Sequence, residues 1–118
     1  MNDSILTSIK KLLGIDENDT SFDADVIMHI NSVLMIIAQE WFDQKPIIIE
    51  DKAPVWSDFI GENEEWYEAI KSLVYLRVRI LFDPPTNSFV LNAMNDQIKE
   101  LEWRMYVWKD NERIDSNV

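Results

Sequence analysis

The chain has 118 residues, which is enough for one domain with a single hydrophobic core. Hydrophobic residues make up 47% of it and charged residues 28%, the balance of a globular chain and not of a disordered one. The formal net charge of -11 argues against a protein that binds nucleic acid by neutralising phosphates.

Residue types that most enzymes and metal sites require are scarce. The chain contains no cysteine, which excludes disulfides, thiolate zinc sites and cysteine nucleophiles. Its one histidine, His29, cannot form a multi-histidine metal site, and two glycines cannot build a Gly-rich phosphate loop. The composition therefore argues against an enzyme and indicates no cofactor.

No targeting segment is visible near the N-terminus, where Lys10 and Lys11 follow the apolar residues instead of preceding them. The longest apolar stretches, at residues 33–38 and 46–49, are far too short to cross a membrane. We expect a soluble protein that is made inside the cell and that does not bind a membrane.

The first helix is predicted from Ser4 to Leu13, because apolar residues recur there at helical spacing. Asn2 or Asp3 is expected to cap its N-terminus. Gly14 suits the left-handed residue that ends many helices, so a Schellman cap is expected there.

The second helix is predicted to begin between Phe22 and Asp25, after an acidic turn at residues 16–19, and to reach Trp41. Its apolar stripe is widened by Met28 and Met35. A helix that is apolar on so much of its surface is expected to be buried on more than one side, within the domain or in an assembly.

Residues 42–61 break the helical pattern and are predicted to form a mostly irregular loop, punctuated by Pro46 and Pro54. The β-branched run Ile47–Ile49 leaves one short strand as an alternative. A lone strand would have to pair with another, and a neighbouring subunit is one source of that partner.

The third helix is predicted from Asn63 to Leu81, and the fourth begins after residues 86–88 and ends near Trp108. Asp83, Pro84 and Pro85 stop the third helix, because proline cannot continue the hydrogen-bond ladder and restricts the residue before it. The fourth helix carries a heptad-like apolar seam at Leu91, Met94, Ile98, Leu101, Met105 and Trp108.

The predicted fold is therefore all-α: a single four-helix domain over residues 1–108, with a helical hairpin at Asp83, Pro84 and Pro85 that these three residues shape. Residues 109–118 are polar and are predicted to form a flexible C-terminal tail.

Several residues are candidates for calcium binding or catalysis, and each also has a simpler structural interpretation. The acids of residues 16–25 resemble a calcium loop, but Ser21 and Ile27 stand where an EF-hand needs glycine and glutamate. His29 lies in a helix without an evident catalytic partner, so we interpret it as structural. The carboxylates near residues 62–65 are interpreted as charges that complement a helix N-terminus. No catalytic, cofactor-binding or metal-binding residue is predicted.

Partner-binding residues are predicted mainly in the fourth helix. Five tryptophans are many for this length, and tryptophan is favoured at protein interfaces. Trp103 lies opposite the heptad seam, so burial of both sides of the helix requires another partner. The predicted interface residues are Trp103, Arg104, Tyr106 and Trp108, together with Arg77 and Arg79 as candidates for intersubunit or carboxylate contacts.

The segment from Leu76 to Arg104, LRVRILFDPPTNSFVLNAMNDQIKELEWR, resembles the head–tail connector (adaptor, DNA-packaging) proteins of tailed bacteriophages and prophages. Its specific parts are residues 82–85, 88–90, 97–98 and 101–104. The opening of the chain, at residues 12–15 and 22–23, is similar to the opening of the same family. The resemblance extends from about Ser4 to Trp108 and is weak over residues 43–62.

This resemblance implies a structural virion protein that forms a ring, commonly of twelve copies, beneath the portal at the head–tail junction. The implied partners are the portal protein, further copies of the chain, and a downstream connector, stopper or tail protein. Genomic DNA would pass through without sequence-specific binding, and a negative lumen would repel its backbone. Before assembly the protein would reside in the host cytoplasm.

The net charge leaves one alternative open, an acidic phage-encoded binding module that mimics DNA or regulates a host protein. A mimic needs carboxylates spaced like phosphates over one surface. Here the acids cluster at turns and helix starts, where helix capping explains them.

Overall fold

The computed structural model describes residues 2–42, 47–61 and 64–116, with side chains described as far as residue 111. Within these residues the chain forms five α-helices, namely α1 (Ile5–Leu12), α2 (Asp23–Ile37), α3 (Trp56–Ile60), α4 (Glu64–Phe82) and α5 (Ser88–Ser116). A π-helical turn, Ala38–Phe42, continues α2. The part of the chain described holds no strand, only an isolated bridge between Ser4 and Val55. The predicted all-α fold is confirmed.

Helix α4 is the centre of the domain, because it packs against each of the other four α-helices. Its buried side chains are Trp66, Ala69, Ile70, Leu73, Val74, Leu76 and Val78. All of these except Ala69 and Leu76 meet apolar side chains of α1, α2, α3 and α5 in one continuous core. The resulting molecule is flat, with extents of 51 × 35 × 19 Å, so it is about two helix diameters thick.

Helix α1 ends as predicted and begins with a different cap. Gly14 has a φ of +81°, and the N–H groups of Gly14 and Ile15 donate to the carbonyls of Lys11 and Lys10 at 3.1 and 2.9 Å. This pair of bonds is the Schellman motif. At the other end Ser4 is the N-cap, where Asn2 or Asp3 was expected, because its hydroxyl accepts a backbone N–H of the first turn.

The side chain of Lys10 is buried, with only 3% of its surface exposed. Its Nζ donates to the backbone carbonyls of Glu17 (3.1 Å) and Asp19 (2.7 Å) and forms an ion pair with Asp23 at 2.8 Å. A buried ammonium without such partners would be costly, since it would lose its hydration without compensation. Lys10 therefore fixes the turn between α1 and the first residue of α2.

The acidic turn is ordered by its own side chains in two Asx turns and does not cap α2, whose N-cap residue Phe22 has no side-chain cap hydrogen bond. The Asp16 carboxylate accepts the N–H of Asn18 at 2.8 Å. The Asp19 carboxylate accepts both the hydroxyl and the N–H of Ser21. These bonds to Ser21 hold the pKa of Asp19 below its ordinary value.

The predicted loop at 42–61 contains one short helix, α3, which the sequence pattern did not indicate. Residues 43–46 of that loop, including Pro46, lie outside the described residues. Trp56 begins α3, is fully buried and donates from its indole nitrogen to the Ser8 hydroxyl at 3.2 Å. Burial of the Trp56 side chain stabilises this helix, because five residues are too few to form a helix by propensity alone.

Ile47–Ile49 is not a strand; a side chain replaces the strand partner. The amide of Asn31 in α2 donates to the Ile49 carbonyl at 3.0 Å and accepts the Ile49 N–H at 2.9 Å. A carboxamide offers the same donor and acceptor as a peptide group, so it satisfies a buried backbone position without a second strand.

The hairpin between α4 and α5 lies where it was predicted. Helix α4 ends at Phe82, one residue before Asp83. Asn87 caps α5, because its side-chain oxygen accepts the N–H of Phe89 at 2.8 Å. The structure differs from the sequence prediction at the far end, since α5 does not stop near Trp108 and continues as a helix to Ser116. The flexibility of the 109–118 tail stays a prediction.

The helix predicted to reach Trp41 changes geometry before it ends. Its last turn widens from α to π at Ala38–Phe42. In this turn the ring of Trp41 packs against Tyr106 of α5, with ring centroids 4.0 Å apart. Lys109, also of α5, donates to the Glu40 carbonyl at 2.7 Å. Contacts with α5 therefore accompany the π geometry, and such contacts cannot be read from the local sequence.

We expect Lys10→Met to destabilise the domain by about 3 kcal/mol, because it removes the cation that satisfies two carbonyls and one carboxylate. Urea unfolding followed by circular dichroism measures this loss. Lys11→Met is the matched control, since the exposed neighbouring lysine should change stability by less than about 0.5 kcal/mol. Equal stabilities of the two variants would contradict the role of Lys10.

We expect Asn31→Ala to cost about 2 kcal/mol, because the Ile49 backbone then loses two hydrogen bonds of about 1 kcal/mol each. Ser32→Ala, at the exposed neighbouring position, should cost far less. The same unfolding measurement separates the two variants. A loss no larger for Asn31→Ala than for Ser32→Ala would show that the Ile49 segment is held by other contacts.

Candidate partner interface

Helix α5 has 29 residues, about 44 Å of helix, and its two sides differ sharply. On the inner side Met105 is fully buried, and Ile98, Leu101 and Trp108 pack against the core. On the opposite side six exposed residues recur at alternating spacings of four and three. This outer face of α5 consists of Phe89, Ala93, Asp96, Glu100, Trp103 and Val107.

The outer face carries large apolar groups that no other part of the described chain covers. Phe89 is 83% exposed and Trp103 61% exposed. A phenylalanine and a tryptophan held in water on a helix are unfavourable for the monomer, and such groups mark interaction surfaces. The sequence pattern identified Trp103 and missed Phe89, although the two lie on one heptad stripe that was readable from the spacing.

Two of the predicted interface aromatics instead pack within the domain. The ring of Trp108 lies 5.4 Å from that of Trp66, in an edge-on arrangement. Tyr106 packs on Trp41, although half of its surface stays exposed. These contacts attach the C-terminal half of α5 to α4 and to the π-helical turn. Their use by a partner stays a prediction.

The three predicted arginines have carboxylate or carbonyl partners in the same chain. Arg77 of α4 pairs with Glu102 of α5 at 2.8 Å, and both side chains are about three-quarters buried. Arg79 donates to the Asp83 carbonyl at 2.6 Å and so closes the C-terminal end of α4. Arg104 pairs with Glu100 at 2.9 Å on the surface of α5, where more than half of each side chain is exposed.

Asp83, Pro84 and Pro85 lie between the two helices of the hairpin and belong to neither. The Arg79 side chain holds the start of this segment through the Asp83 carbonyl, and the Asp83 N–H donates back to the Arg79 carbonyl at 2.9 Å. The prediction that these three residues set the hairpin angle stays a prediction.

A groove opens between α2 and α5, with α4 as its floor, and has a volume of about 350 Å³. It is lined by Ser32, Val33, Ile36, Arg77, Ile80, Leu81, Asn95 and Ile98. Arg77 is the only charged residue among these. The sequence did not predict this groove, because its lining comes from three helices whose relative packing is set only in the folded domain.

Among the candidate chemical residues, His29 makes an aromatic contact, and residues 62–63 of the acidic cluster lie outside the described residues. The ring of His29 lies edge-on to Phe82, with centroids 6.4 Å apart. Over the described residues no three His, Cys, Asp or Glu side chains come together in a way that could hold a metal ion. Among the helices described, none is long and apolar enough to cross a membrane.

Comparison with known proteins gives one match. A family model described as phage connector protein matches residues 5–112, which is nearly the whole helical domain. No curated protein and no solved structure matches the chain.

The two ion pairs of α5 should differ in energy. We expect Glu102→Gln to cost about 1–2 kcal/mol, because it leaves the largely buried Arg77 guanidinium without its counter-charge. Glu100→Gln, which breaks the exposed pair with Arg104, should cost at most about 0.5 kcal/mol. Chemical denaturation of the two variants measures both. Equal losses would mean that burial does not strengthen the Arg77 pair.

Proposed function

We propose, because the chain belongs to the phage connector protein family, that it is a structural protein of the head–tail junction of a tailed phage. In this proposal copies form a ring on the portal vertex, extend the DNA channel and present a surface to the next connector, stopper or tail protein. The observation that carries the proposal is the family match, which spans residues 5–112 and so includes all or most of every described helix.

The surface of α5 supports an assembly role. Phe89 and Trp103 lie exposed on a helix whose other side is already packed on the domain. Since aromatic side chains give the largest energy per contact at protein interfaces, this surface is suited to burial against another protein. We assign portal binding to the C-terminal part of α5, with Trp103 and Arg104 as the contact residues that remain most accessible.

The charge of the chain supports a channel through which DNA moves freely. The net charge of -11 gives a ring of several copies a strongly negative field. Such a field repels the phosphate backbone instead of binding it, so DNA would slide and not adhere. The proposed role is therefore non-enzymatic, in the virion after assembly and in the host cytoplasm before it.

Co-expression with the portal protein encoded in the same genome tests the proposal. We expect the two proteins to co-purify and negative-stain images to show an additional symmetric ring on the portal. Failure to bind portal, with the chain remaining monomeric, would overturn the proposed function. Stoichiometric inhibition of a host nuclease by the chain would instead support the acidic-mimic alternative.

The portal contact is tested separately with Trp103→Ala. We expect portal capture to fall by at least about tenfold, since loss of an interface tryptophan commonly costs about 2 kcal/mol or more. Ile48→Ala is the matched control, because Ile48 is 72% exposed and lies far along the chain from α5. Normal capture by Trp103→Ala would remove this residue from the portal contact without affecting the proposed function.

A further inference from the structure

We propose that copies of this chain contact one another head to tail, with the N-terminal half of the outer face of α5 (Phe89, Ala93 and Asp96) in one copy docked in the groove between α2, α4 and α5 of the next. Phe89 supplies the apolar group that enters the groove. The inference deepens the proposed ring and rests on it. The contact itself can be tested without a portal protein.

The two surfaces lie on opposite sides of the same helix. Ile98 lines the groove, and Phe89 on the outer face is nine residues away, which is about two and a half helical turns. Nine residues correspond to a rotation of about 180° around the helix, so the groove and Phe89 lie on opposite sides of α5. A contact between opposite faces repeats from copy to copy, and it closes into a ring when the rotation per copy permits.

The groove is suited to an apolar side chain with an acidic neighbour. Its floor and walls are mainly aliphatic, and Leu81 at its edge is 53% exposed. Its single charge is Arg77, whose guanidinium has five N–H donors. One N–H of its Nη2 binds Glu102. The Nε–H is buried and has no partner among the described residues, so the donors left for a partner are those of the two terminal nitrogens.

The outer face of α5 offers the complementary chemistry. Phe89 is the most exposed large apolar residue of the described chain, at 83%. Asp96 lies two turns further along the same face, and no described residue bonds to it. A phenylalanine followed by an unpaired carboxylate fits an aliphatic groove whose only charge is a guanidinium.

Charge complementarity favours a second copy as the occupant. Copies of a chain with a net charge of -11 repel one another, so a self-contact needs a place where an acidic surface meets a cation. Docking the outer face on the groove places Asp96 near Arg77 and buries Phe89 in the same step. The exposed side chains of Met28 and Met35 on α2 extend the apolar surface beside the groove.

Cross-linking tests the contact directly, because the chain has no cysteine of its own. Ala93→Cys, which keeps Phe89, and Leu81→Cys are made as separate single variants, mixed at high concentration and treated with a short bismaleimide. Ala93 and Leu81 are both exposed, so the core is unchanged. We expect the mixed pair to form covalent dimers at least about tenfold faster than either variant alone, the difference that about 1.4 kcal/mol of binding makes.

Ala93→Cys mixed with Ile48→Cys is the matched control, since Ile48 is also exposed and lies outside both surfaces. Adding Asp96→Arg to the Ala93→Cys chain should reduce cross-linking to Leu81→Cys severalfold, whereas Glu50→Arg, with the same change in net charge, should not. Equal rates for all pairs would overturn the proposal. Preferential dimers of Ala93→Cys with itself would also overturn it, because they indicate a two-fold contact.

The outcome is independent of the portal experiment. Selective cross-linking without portal binding would keep the head-to-tail contact and remove the connector role. Portal binding by the wild type with no selective cross-linking would keep that role and remove the groove as the subunit contact.

Discussion

Burial of α4 is the constraint on which the rest of this structure depends. The helix packs against every other α-helix, and Ile70, Leu73 and Val74 at its centre are inaccessible to solvent. At about 25 cal/mol per Å² of apolar surface removed from water, this burial is the main source of stability. Because α2 and α5 pack on α4 along different sides, a groove remains between them and the far side of α5 stays uncovered. The two surfaces available to partners are thus consequences of how one helix is covered.

Two polar side chains hold the segments that α4 does not order. Lys10 satisfies the carbonyls of the turn before α2, and Asn31 satisfies the backbone of Ile49. Each lies on a helix and reaches a non-helical segment, so each converts a backbone that lacks secondary-structure partners into a fixed part of the domain. A chain of 118 residues buries a limited apolar area, so its loops contribute few apolar contacts to stability. Hydrogen bonds from Lys10 and Asn31 hold these loops instead.

The residues suited to assembly are those whose side chains make the fewest contacts within the chain. Arg77, Arg79 and Trp108 contribute to the α4–α5 hairpin through an ion pair, a helix end and an aromatic contact. Trp103 and Phe89 make no comparable contact with the described residues and remain in water. Membership of the phage connector protein family agrees with a helix that packs on the domain along one side and leaves large apolar groups exposed on the other.

The sequence by itself determined the all-α class, the Schellman cap at Gly14, the hairpin after Phe82 and the heptad seam of α5. These features depend on hydrogen bonds and spacings within a few residues, so local physics specifies them. It also supported the family resemblance, which the family match over residues 5–112 bears out. Only the tertiary structure decided that Lys10 is buried, that Asn31 binds the Ile49 backbone, that α3 forms around Trp56, and which aromatic residues of α5 face the core. Each of these features depends on how the helices and loops pack against one another. That packing is set by contacts between residues far apart in the chain, which local spacing does not specify.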